Sequence, residues 1–64
     1  MFKYLLDYSS LSTSDAEALI KRIESRTADG GDFDYRSRLC KFIVDEQDLP
    51  NLQIPDSCVL QRIP

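Results

Sequence analysis

The chain contains no histidine. That removes the usual general acid or base near neutral pH and the commonest metal ligand, leaving carboxylates and lysines to carry any catalysis. Cysteine is scarce. Cys40 and Cys58 are the only two, where a secreted mini-protein of this size normally carries four or more. They read as reduced, partly buried thiols; if joined, they would close a loop worth roughly 3 kcal/mol. Two thiols without histidine do not make a structural zinc site, which takes four ligands. Long apolar runs are missing too. Asp7 interrupts Met1–Leu6 short of a signal peptide or a membrane span, so a cytoplasmic protein without a membrane partner is expected. Positive charge is in deficit. Eight basic residues against eleven acidic ones give a net charge of −3, the wrong sign for a general nucleic-acid binder.

What is present fits one small globular domain over residues 1–64. The apolar content, 42%, is that of a folded chain, and the charged content, 30%, that of a soluble one. A domain near sixty residues buries only about 60% of the surface its unfolded chain exposes. Its stability comes out near zero unless a disulfide, a metal, a second copy or a bound partner adds to it.

The clearest local pattern runs from Ser14 to Thr27. Ala16, Leu19, Ile20 and Ile23 recur at the spacing that lays one apolar stripe along a helix. Ser14-x-x-Glu17 reads as a capping box, with Lys21, Arg22 and Arg26 toward the negative end of the helix dipole. Gly30-Gly31 then stops the helix. A second helix is expected from Phe33 to Val44, where Tyr35, Leu39, Phe42 and Ile43 form a stripe and Asp32 or Asp34 supplies a cap. A strand fits less well there, since strict alternation would put Arg36 and Arg38 on the face of Cys40 and Phe42. Asp45, Glu46 and Asp48 end this helix before Leu49-Pro50.

The termini are less determinate. Phe2, Leu5 and Leu6 fit a helical face, whereas Phe2, Tyr4, Leu6 and Tyr8 alternate as a strand would. Pro50, Pro55 and Pro64 exclude one continuous C-terminal helix, yet Leu52, Ile54, Val59, Leu60 and Ile63 are too apolar for a solvated tail. That segment either closes the core, with a short helix from Asp56 to Arg62, or docks on another chain.

Few clusters carry chemistry. Asp29-Gly30-Gly31-Asp32-Phe33-Asp34 gathers three carboxylates but lacks the spacing of a calcium loop, and reads more simply as a helix stop and a cap. Asp45 and Glu46 are sequence neighbours and would point to different faces of a helix. Cys40 has no visible base or oxyanion donor. No catalytic residue, metal site or cofactor is expected, and the chain reads as a non-enzyme. Six of the eight basic residues, Lys21, Arg22, Arg26, Arg36, Arg38 and Lys41, fall in the middle third beside Tyr35. Tyrosine and arginine are enriched where binding energy concentrates.

The expected architecture is mainly α: a small helical hairpin, Ser14–Thr27 on Phe33–Val44, with packed terminal segments. The alternative is α+β with Phe2–Tyr8 as a strand. The expected function is non-catalytic protein binding by an adaptor, regulator or inhibitor that occludes a surface of a larger protein or complex. Tyr35, Arg36, Arg38, Lys41, Arg22 and Arg26 are the candidate contact residues. By size alone the chain is comparable to phage-type inhibitors of host machinery. Two other classes stay open: a structural subunit of a homo-oligomer or larger assembly, and a nucleic-acid-binding regulator using the Lys21–Lys41 basic surface.

Overall fold

In the computed structural model, which describes residues 1–64, alternation prevails at the N-terminus. Phe2–Asp7 is strand β1, and Tyr4, Leu6 and the following Tyr8 are buried on one side of it. Helix α1 spans Thr13–Arg26, followed by β2 (Asp32–Asp34), β3 (Leu39–Val44), a 3₁₀ turn at Leu49–Leu52, and β4 (Val59–Ile63). The four strands form one antiparallel sheet in the order β2-β3-β1-β4. β1 is therefore central, although it comes first in the chain. No helix is long and apolar enough to cross a membrane.

The helix is the element that the sequence pattern located best. Ala16, Leu19 and Ile23 are buried and Ile20 is half-buried, as the stripe requires. Its cap differs from expectation. Ser12, not Ser14, is the N-cap, its hydroxyl accepting from the Asp15 N–H at 3.2 Å. The helix ends before the glycines: Thr27 caps it in an extended conformation, donating both its N–H and its hydroxyl to the Ile23 carbonyl.

The mainly α architecture is not what forms, and the α+β alternative is closer. Phe33–Val44 is a β-hairpin rather than a second helix. The reason lies in four residues. Tyr35–Arg38 make a turn, so Arg36 and Arg38 never enter the strand alternation that argued against β structure. The Asp34 carboxylate closes the turn by accepting from the Arg36 and Ser37 N–H groups at 3.1 and 3.2 Å. Arg38 takes the left-handed conformation (φ 56°) that a glycine or asparagine usually supplies. With the turn removed, Cys40, Phe42 and Val44 alternate cleanly into the core. The short helix expected at Asp56–Arg62 is also absent; the segment returns to the fold as β4, paired along β1.

One continuous core lies between α1 and a single face of the sheet. It contains Tyr4, Leu6, Tyr8, Ala16, Leu19, Ile23, Cys40, Phe42, Val44 and Leu52. Arg22 ties the C-terminal half to the helix, its Nε donating to the Leu52 carbonyl at 2.8 Å and its Nη2 to the Gln53 carbonyl at 3.2 Å.

Candidate functional site

With only one helix, only one sheet face is covered. Directly opposed residues of an antiparallel pair point to the same face, so the strand registers define what the other face presents. Its three rows across the sheet are Asp34-Leu39-Asp7-Val59, Asp32-Lys41-Leu5-Gln61, and Ile43-Lys3-Ile63. Leu5 occupies the middle. Leu39, Ile43, Val59 and Ile63 stand diagonally around it, while Asp7, Lys3, Lys41 and Gln61 fill the gaps. Leu5, Leu39, Ile43 and Ile63 are half-buried, and Val59 is 64% exposed. The charges are graded along the strands: Asp34 and Asp7 lie in the first row, Asp32 and Lys41 oppose each other in the middle one, and Lys3 lies in the last. Asp7 accepts from the Ser9 hydroxyl and N–H at 2.7 and 3.0 Å, and the hydroxyl bond first of all holds its carboxyl below the usual range.

The six basic and aromatic residues singled out in the sequence do not make one surface. Arg22 is committed to the Leu52 and Gln53 carbonyls. Arg38 is committed to the Leu11 carbonyl, which its Nη1 reaches at 2.9 Å. Lys41 belongs to the uncovered face, opposite the side on which α1 carries Arg22 and Arg26. Tyr35 and Arg36 sit exposed at the hairpin turn, Tyr35 being 66% exposed and stacked on Phe33 at 5.8 Å. Tyr35 and Arg38 do come together in one place, a cleft of about 280 Å³ that they line with Tyr8, Thr13, Glu17 and Ile20. The Tyr8 hydroxyl is enclosed with no protein partner, and burial first of all raises its pKa.

Two carboxylates of the acidic cluster hold local backbone, while Asp32 makes no hydrogen bond of that kind. The Asp29 carboxylate accepts from the Gly31 and Ile43 N–H groups, and Asp34 closes its turn. No group of three or more cysteine, aspartate or glutamate side chains is disposed to hold a metal ion. Both thiols are free. Cys58 is half-buried, and burial raises its pKa first of all.

Cys40 is enclosed by the core, where burial first, then Asp29 and Asp32, push its pKa from 9.0 up to about 12. The unfolded chain therefore gives up this proton at lower pH than the folded chain does. The associated stability is complete below pH ~9 and is lost as pH rises toward ~12. Urea midpoints measured upward from neutral pH should fall more steeply above pH ~9 in the unaltered chain than in Cys40→Ala. Parallel curves would refute this.

The sequence reading missed the residues that matter most on the uncovered face. Leu5, Leu39 and Ile43 fit helical stripes in the sequence, Val59 and Ile63 read only as part of an apolar C-terminal segment, and Lys3 carries no pattern of its own. The available signal was the odd-numbered half of each strand, Lys3-Leu5-Asp7, Leu39-Lys41-Ile43 and Val59-Gln61-Ile63, which becomes visible only once the strands are paired. Comparison with protein-family models, with curated proteins and with solved structures gives no match.

Proposed function

We propose that this chain is a small, non-catalytic, cytoplasmic protein-binding module that occludes a patch on a larger protein or protein complex through the uncovered face of its sheet. One observation carries this reading. A water-facing side of an antiparallel sheet normally alternates to polar residues, whereas this one keeps Leu5 with four apolar side chains, Leu39, Ile43, Val59 and Ile63, on its diagonals. The surrounding acid-to-base gradient gives a docking partner an orientation as well as an affinity.

The test is capture from a lysate of the native host with three proteins: the unaltered chain, the double variant Leu5→Gln/Ile43→Gln, and Tyr35→Ala. Each is first checked for an unchanged circular dichroism spectrum. The unaltered chain and Tyr35→Ala should retain the same partner in comparable amount. The double variant should lose it about tenfold or more, as removal of central apolar contacts does. Equal retention by the double variant, or loss by Tyr35→Ala alone, would move the contact to the hairpin turn and overturn the assignment. Failure of the unaltered chain to retain any partner would overturn the function itself.

A further inference from the structure

The two edges of the sheet are unlike. β2 is three residues long and carries an aspartate at each end, the usual protection against pairing with another chain. β4 is longer, Val59-Leu60-Gln61-Arg62-Ile63, with four of its five residues exposed, and nothing in the fold lies along its outer side. It has no lysine, no acid and no internal proline. Its single charge leans inward: the Arg62 guanidinium sits 4.5 Å above the ring of Phe2 on β1, which draws it back over the sheet and off the rim. The outer rim of β4 is thus an unpaired strand edge without the usual protection.

We propose that β4 pairs antiparallel with β4 of a second copy of this chain, about a two-fold axis through Gln61, to give a continuous eight-stranded sheet. The symmetry limits the choice of register. A two-fold axis normal to the sheet keeps each side chain on its own face, so the axis must pass through a residue facing itself. Centring on Arg62 sets two guanidinium groups opposite each other and leaves three pairs within the strand; like charges directly opposed are unfavourable. Centring on Leu60 also leaves three. Centring on Gln61 alone uses all five residues. It places Val59 against Ile63 twice on the uncovered face, Gln61 against Gln61 between them, and Leu60 against Arg62 on the helix side. No like charges meet.

A five-residue edge contact is small beside the ~1,200–2,000 Å² of a standard interface, so the dimer is reversible and concentration-dependent. It also joins the two uncovered faces edge to edge, placing the Val59 and Ile63 side chains of one copy beside those of the other. The pairing uses the rim of the sheet and not its face, so a monomeric chain leaves the capture experiment with Leu5→Gln/Ile43→Gln intact.

Cysteine cross-linking tests the register directly, in a Cys58→Ser background so that buried Cys40 is the only native thiol left. Gln61→Cys meets its own copy across the axis with Cβ atoms about 5 Å apart, close to disulfide geometry. Mild oxidation should convert it to a covalent dimer at least about tenfold faster than Val59→Cys, whose two copies stand four residues, some 13 Å, apart along the strands. Mixing Val59→Cys with Ile63→Cys should restore fast cross-linking. In parallel, sedimentation of the unaltered chain should show dimer rising as its concentration approaches about 1 mM. A monomer throughout that range leaves the β4 edge to a foreign strand and overturns the proposal. Cross-linking of Val59→Cys alone as fast as Gln61→Cys overturns the register, and with it the pairing.

Discussion

Replacing Phe42 by alanine should leave little folded protein at room temperature. Phe42 is fully enclosed and is the largest of the fully buried side chains. It stands on β3 opposite Tyr4 of β1, with the two rings stacked at 5.7 Å, so it joins the two central strands as well as filling the space beneath α1. Truncating a buried phenylalanine costs about 3–5 kcal/mol, because the removed atoms lose their apolar surroundings and the cavity collapses only in part. A chain of this length has a total stability of roughly 3–10 kcal/mol, so the loss consumes much or all of it. Urea titration followed by far-ultraviolet circular dichroism should give a much lowered midpoint, or no folded baseline. Phe42→Leu, which keeps most of the volume, should cost about 1–2 kcal/mol and remain folded. A Phe42→Ala midpoint within about 1 kcal/mol of the unaltered chain would show that the core is not centred on this pair.

How far the fold could be read from the sequence depended on whether a segment's pattern was interrupted. α1 was legible because the whole stripe Ala16-Leu19-Ile20-Ile23 lies within one uninterrupted element. Its two ends were misplaced: Ser12 rather than Ser14 caps the start, and Thr27 rather than the glycines caps the finish. Ser12 and Ser14 are equally good capping residues, and the glutamate at position 17 favoured the wrong one. The hairpin was illegible for the opposite reason. Between Phe33 and Val44 the chain changes direction without the glycine or asparagine that usually marks such a change, because Arg38 takes the left-handed position. Its guanidinium bond to the Leu11 carbonyl helps to anchor it there. Read through that turn as if it were continuous, two short strands imitate one helix. The legible part of the signal was Asp34, a residue favoured at the first position of a type I turn.

The candidate site was less legible still, since it is a property of pairing rather than of any single segment. Leu5 and Leu39 are 34 positions apart and share a face only because β1 pairs with β3 in this register. Conversely, the clustering of six basic residues in the middle third was a proximity of sequence. Two of them, Arg22 and Arg38, turn out to hold loops through backbone carbonyls, and Lys41 lies on the other side of the sheet from the helix. Charge density along a chain says little about charge density on a surface when the chain reverses every few residues.

The adjacent glycines between α1 and β2 should respond very differently to the same substitution. Both have positive φ, 75° at Gly30 and 87° at Gly31, so alanine at either carries the strain of a left-handed backbone, about 1–2 kcal/mol. At Gly30 that is nearly the whole cost. A Cβ there would meet nothing nearer than the Glu24 carbonyl oxygen at 3.8 Å, an ordinary contact. At Gly31 a Cβ would lie 2.8 and 2.9 Å from two atoms of the Phe33 ring and 3.1 Å from the Ile23 Cγ2. Ile23 is fully buried, and Phe33 packs on the core and stacks on Tyr35, so neither neighbour yields without disturbing the contact between helix and hairpin. Overpacking of this kind adds about 1–3 kcal/mol. Gly31→Ala is therefore expected to lose roughly 2–5 kcal/mol in urea titration against about 1–2 kcal/mol for Gly30→Ala. Phe33→Leu, which removes the ring atoms met first, should restore part of the Gly31→Ala loss when the two are combined. Equal costs at the two glycines would mean that Phe33 swings aside freely, and that α1 and β2 are not held together at this point.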